Sequence, residues 1–164
     1  MTITVFKHLN KAGNAALLGK EKANMVYQHG AVILKNGKPV CWGFNHKRSY
    51  HNGSLCCSTH AEMHAYRNWK SIFLRGIKNE KDAKRIAKKF DICVVRLANG
   101  SDGYLDSAPC HECTETLKKA GFKNISWSTT GGGFKSHKLR DVKSEHFSEA
   151  QVSLNQYIPC KHKL

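Results

Sequence analysis

Ala31-Val32-Ile33-Leu34-Lys35-Asn36-Gly37-Lys38-Pro39-Val40-Cys41-Trp42-Gly43-Phe44 is two apolar runs joined by Asn36-Gly37. Asn-Gly between such runs is a strong hairpin signal, because both residues tolerate the positive φ of a two-residue turn. The stretch predicts the first two strands of a sheet. Upstream, Lys11 to Gln28 is rich in Ala, Leu, Lys and Met and reads as an amphipathic helix weakened by Gly13 and Gly19, with a break at His29-Gly30. Downstream, the polar stretch Asn45 to Leu55 reads as a long surface loop, Thr59 to about Lys70 as a helix, and Arg67 to Lys89 as a basic helical segment. Asp91 to Ala98 is apolar and β-rich, as a buried central strand would be. Pro109 suits the start of a helix that Gly121 ends, and Phe122 to Thr129 is a further strand. Gly131-Gly132-Gly133 closes the regular part, and residues 134–164 are mixed and basic without a clear element signal. Helix, hairpin, helix, strand, helix, strand predicts an α/β fold, a mixed β-sheet of about five strands flanked by helices.

The 164 residues suffice for one domain with its own core, so residues 1–164 are expected to form a single unit. No apolar run approaches the roughly 18 residues of a membrane span, and the first ten residues lack a secretory signal, so the expectation is no membrane and an intracellular address. Seven cysteines, two of them adjacent (Cys56 and Cys57), argue against a disulfide framework and for reduced thiols, some on metal. Lys and Arg number 27 against 12 for Asp and Glu, a net charge of +15. A field of that sign attracts phosphates, and it equally serves solubility.

Cys110-His111-Glu112-Cys113 sets two thiols three apart at a helix start, on one face, where the helix dipole favours the thiolate that binds metal. Alone, such a pair fits a zinc site, a redox pair or chance. His60-Ala61-Glu62 opens another helix and supplies the missing imidazole. Three protein ligands, His60, Cys110 and Cys113, leave zinc one position for water, whose pKa falls to about 7. A carboxylate two residues from the histidine, Glu62, can then take a proton from that water and deliver it to a leaving amine.

His-x-Glu followed by Pro-Cys-x-x-Cys is the signature of zinc deaminases, met here by His60, Glu62, Pro109, Cys110 and Cys113. The sequence resembles the cytidine and deoxycytidylate deaminase superfamily, and more closely its CMP/dCMP-type branch, over roughly residues 24–135. His29-Gly30-Ala31-Val32-Ile33, Gly43-Phe44-Asn45, Thr59-His60-Ala61-Glu62 and Pro109-Cys110-His111-Glu112-Cys113 carry the resemblance. It implies a cytidine deaminase-like fold, assembly into homo-oligomers, bound zinc, and conversion of a cytosine nucleotide or nucleoside to the uracil form with release of ammonia. It implies three substrate contacts as well: Asn45 to the sugar, the Ala61 backbone amide to the pyrimidine carbonyl, and the Ser107 and Ala108 backbone to the exocyclic amine. His60 and Cys110 are 50 positions apart, longer than is common in the family, so the basic segment at about 67–90 reads as an insertion.

Plainer readings stand beside these. Thr59-x-x-Glu62 is also a capping box, with Glu62 serving only the helix start. His64 lies four residues after His60 and reads as solvent-facing. His46, His51, Cys56 and Cys57 are dense enough for a second zinc, with core or surface roles favoured, and Trp42, Trp69 and Trp127 read as core aromatics. Lys47 and Arg48, following Asn45, lie where a loop reaches a 5′-phosphate. The basic surface admits an alternative, a deaminase acting on a base within RNA or single-stranded DNA. A second alternative is a non-enzymatic, zinc-stabilised nucleic-acid-binding module closed by a fourth ligand such as Cys57.

Overall fold

The computed structural model describes residues 10–18, 27–47, 50–51, 54–55, 59–99, 103–148 and 152. Strands β1 (Gln28–Lys35) and β2 (Lys38–Phe44) form the antiparallel hairpin, and Asn36 and Gly37 turn it with φ of 50° and 73°. A register shift between Ile33 and Leu34 bends β1. Two short paired strands, β3 (Tyr50–His51) and β4 (Ser54–Leu55), lie in the stretch read as loop. The remaining strands are β5 (Phe90–Leu97), β6 (Tyr104–Leu105), β7 (Asn124–Ser128) and β8 (Phe134–Lys138). The main sheet runs β2-β1-β5-β7-β8, with β6 also paired to β5. Among the described strands only β5 and β7 pair in parallel, because α4 (His111–Ala120) returns the chain between them.

Helix α1, helical at residues 10–18, covers one face, where Ala12 packs with Val32, Leu34, Cys93 and Val95. Helices α2 (Ala61–Phe73), α3 (Glu80–Ala87) and α4 serve the opposite face, whose core holds Ile33, Trp69, Phe90, Ile92, Val94 and Leu117. Alternation within β1 and β5 sorts the residues between the two cores.

The basic segment at about 67–90 is not one helix. It is the second half of α2, a connection, and α3, and it contributes Trp69, Ala87 and Phe90 to the core while its lysines face solvent. The chain beyond Gly133 continues in regular structure as β8 and a single 3-10 turn, Leu139–Asp141, whose Leu139 is fully buried. Of the three tryptophans, Trp69 and Trp127 are buried as expected, but Trp42 is 55% exposed on the edge strand β2. No helix among the described residues is long and apolar enough to cross a membrane.

Gly43 sets the distance between β2 and α2. A Cβ there would lie 2.2 Å from the Ala65 nitrogen and 2.7 Å from the Ala61 oxygen, both backbone atoms that cannot rotate away. Gly43→Ala therefore pushes α2 off the sheet. The expected cost is about 1–3 kcal/mol, a fall of roughly 2–12 °C in Tm by calorimetry, with displacement of His60, the residue just before α2.

Candidate active site

Helices α2 and α4 both begin on the same face of the sheet, and each is preceded by a residue whose side chain can ligate a metal. His60 is the N-cap of α2 and Cys110 the N-cap of α4, both with extended backbones, and neither side chain caps its own helix. Cys113 follows in the first turn of α4 and is 1% exposed. His60 Nδ1 lies 3.4 Å from the Sγ of Cys110 and 3.4 Å from that of Cys113, and the three ligand atoms fall within 4.8 Å of one another. Bond lengths of about 2.3 Å to sulfur and 2.0 Å to nitrogen give a tetrahedral N···S edge of about 3.5 Å, so spacing and donor chemistry both fit zinc.

Protons are shared within this cluster. The hydrogen bond with Cys113, then that with His60, holds the Cys110 thiol far below its usual range, while the contact with Cys110 and burial push Cys113 well up. His60 is raised to about 9, chiefly by its hydrogen bond to Cys110. Two helix N-termini facing the sulfurs favour the negative form a metal requires.

Glu62 sits in the first turn of α2 and is 6% exposed. Burial pushes its carboxyl up, against the smaller opposing pull of His60 and its own backbone amide. The capping-box reading fails: the N-cap is His60, not Thr59, and the Thr59 hydroxyl accepts from Arg67 Nη1 at 3.1 Å. Thr59 instead pairs with His46 through N–H···O bonds of 2.8 and 3.0 Å, which anchor the chain just before His60.

Asn45 is buried at the end of β2. Its Oδ1 accepts from the His29 N–H at 2.9 Å and its Nδ2 donates to the Tyr27 carbonyl at 2.6 Å, so the amide is locked to the start of β1. Ala61 is wholly buried at the first position of α2, where helix N–H groups lack intrahelical partners. Ser107 donates its N–H to Ser128 O at 3.0 Å and its hydroxyl to Val94 O at 3.0 Å, and its Oγ also accepts from the Ser128 N–H at 3.1 Å. The Ala108 N–H donates to Asp106 Oδ1 at 2.8 Å. The approach to Pro109 is thus bolted onto β5 and β7.

His64 is not solvent-facing. Its Nδ1 lies 3.0 Å from Phe44 O and 3.2 Å from Phe44 N, and its ring meets Phe44 and His46 edge-on, each at 4.8 Å. It is outside the metal cluster. A second site from His46, His51, Cys56 and Cys57, and Cys57 as a fourth ligand, involve side chains outside the described residues, as does Arg48.

Three features escaped the sequence. The segment after β8 returns to α4: Ser144 Oγ donates to Pro109 O at 2.9 Å, the His111 N–H donates to His146 O at 2.8 Å, and the His111 and Phe147 rings lie 5.0 Å apart. His29, directly opposite Arg96 in the β1–β5 register, has its pKa lowered to about 4 by burial first, then by Arg96 and by His60. Arg96 itself lies under the Tyr27 ring, 4.6 Å from its centroid. His29 falls within a quoted motif, yet only strand register links it to Arg96.

A family model described as the cytidine and deoxycytidylate deaminase zinc-binding region matches residues 6–129. The fold is similar to that of cytidine deaminase from Burkholderia pseudomallei, with 19% identity and a TM-score of 0.52 over 84% of this chain and 98% of that one. The apo form of dCMP deaminase from the cyanophage S-TIM5 aligns with 16% identity and a TM-score of 0.49, over 79% of this chain and 85% of that one. No curated protein sequence matches.

Proposed function

From a chain that belongs to the cytidine and deoxycytidylate deaminase family, we propose a specific activity: hydrolysis of a free cytosine nucleotide, CMP or dCMP, to the uracil form and ammonia. One observation carries the deamination chemistry, the buried Glu62 carboxyl on the same helix turn as His60, beside Cys110 and Cys113. His60, Cys110 and Cys113 would hold zinc, which when bound would supply Lewis-acid activation of the attacking water.

The chain's own groups do the rest. The Glu62 carboxylate takes a proton from the attacking water and delivers it to the leaving amine, and burial, by raising its proton affinity, suits it to hold that proton between the two transfers. The Ala61 amide, at a helix N-terminus, donates to the pyrimidine carbonyl. The N–H groups of Ser107 and Ala108 are already committed, so this stretch meets the exocyclic amine, a donor, with its carbonyl oxygens. Asn45, held rigid from β1, presents its remaining amide hydrogen and lone pair to the sugar.

Exposed cations on α3 (Lys81, Arg85), at its C-cap (Lys88) and on β8 (Lys135, Lys138), with the +15 charge, support a second reading in which the base lies within RNA or single-stranded DNA. Ammonia release from cytidine, deoxycytidine, CMP, dCMP and single-stranded RNA and DNA, with Glu62→Ala as the blank, separates the two. Release from CMP or dCMP is the expected result. Release from polymer alone, suppressed steeply by salt, moves the assignment to the second reading, and no release from any substrate by the zinc-loaded protein overturns both.

A further inference from the structure

Arg96 occupies the C-terminal end of β5. Ile92 and Val94, four and two residues earlier, lie in the core under α2 and α4, whereas Cys93 and Val95 lie in the core under α1. Alternation therefore puts the Arg96 side chain on the face that carries the metal cluster. Its register partner is His29, whose backbone is tied to Asn45, and on the other side its own N–H donates to Ser128 Oγ at 3.2 Å, within the network that holds Ser107. Arg96 thus stands between the backbone stretches that hold Asn45 and Ser107.

Its guanidinium is out of balance. Nε is buried and has no hydrogen-bond partner, and among the described residues the group makes no ion pair. By contrast Arg67 bonds Thr59, Arg85 bonds Asp82 and Arg140 pairs with Asp141. The Tyr27 ring covers one face of the Arg96 plane, which leaves its N–H edge as the recognition surface. A guanidinium is always charged, and this half-buried one has its Nε shut away without a partner, so its Nη edge is the part left to meet an anion. His29 opposite it is an imidazole and supplies no negative charge.

We propose that Arg96 is a substrate-binding residue that takes the phosphate of the nucleotide, with Tyr27 as the cover over its guanidinium. The assignment rests on the reading of the protein as a cytosine nucleotide deaminase. Phosphate matches the fork of N–H groups bidentately and is the only anion such a substrate has. A nucleoside has none, so Arg96 sets the preference between nucleotide and nucleoside.

The test compares kcat/KM for dCMP and CMP with that for deoxycytidine and cytidine in the zinc-loaded full chain, its Arg96→Met variant and its Arg96→Lys variant. Calorimetric binding of inorganic phosphate, and of dUMP against deoxyuridine, gives a second readout free of turnover. The expected result is a nucleotide-over-nucleoside preference about a hundredfold smaller in Arg96→Met, a smaller loss in Arg96→Lys, and loss of phosphate binding in Arg96→Met. An unchanged preference, or nucleotide and nucleoside weakened alike, with phosphate binding intact, overturns the assignment while leaving the deaminase reading in place. Arg96-dependent phosphate binding by a protein that deaminates no free cytosine compound instead sinks the proposed function and keeps the anion site. If oligonucleotides rather than mononucleotides show the Arg96 dependence, the group bound is a diester and the mononucleotide assignment falls.

Discussion

Glu62→Gln is expected to lower kcat for ammonia release by about a thousandfold or more while the protein keeps its zinc and its fold. The amide has nearly the volume of the carboxyl it replaces, so the packing around this 6% exposed side chain survives. What disappears is the proton acceptor. Because the cost of burial outweighs the favourable pull of His60 and the backbone amide on the Glu62 carboxylate, neutralisation relieves more than it loses, and the thermal midpoint should stay level or rise. Steady-state ammonia assay, metal analysis and calorimetry on one preparation check all three statements. A variant that retains activity within tenfold of the parent would show that some other group moves the proton, and the proposed mechanism would then be wrong.

Cys113→Ala should remove zinc and activity together. Cys113 is almost fully buried, its sulfur is one of three ligand atoms, and no other described side chain joins the cluster. Metal content should fall to below about a tenth of the parent's and deamination below detection, with a lower thermal midpoint, since metal bound to the folded state alone contributes to folding free energy. Cys93→Ala is the control. Cys93 is equally buried, but burial pushes its thiol up to about 12 and it packs with Val32 and Val95 on the α1 face. That substitution costs packing, and zinc should remain. Loss of zinc from Cys93→Ala but not from Cys113→Ala would overturn the ligand assignment.

Much of the fold was readable because its signals are local. Asn36-Gly37 demanded positive φ and took it, and the apolar run at Asp91 to Ala98 became the central strand β5. The edge of the sheet was harder. Strand β8 has one half-buried residue, Phe134, and four exposed ones, so it carries no apolar alternation, and its order comes from pairing with β7. The basic stretch misled for a related reason: its lysines dominate the composition, while Trp69, Ala87 and Phe90 determine where it packs. Thr59 looked like a helix cap because capping patterns are read along the chain, yet its backbone is engaged by His46 and its hydroxyl by Arg67.

The sequence by itself determined the local spacing of the candidate metal site. Cys110 and Cys113 share a helix turn, as do His60 and Glu62, and such spacings place side chains together whatever surrounds them. Tertiary structure alone decided that the two turns meet, since His60 and Cys110 are 50 positions apart and converge only because α2 and α4 begin on one face of the sheet. It also decided which polar groups are spoken for. Asn45, Ser107 and Ala108 are tied down by backbone partners, His64 is turned onto Phe44, and Arg96 is left under Tyr27 with its Nε unpaired. Strand register and burial set those outcomes, and both arise from contacts between distant segments that no local pattern records.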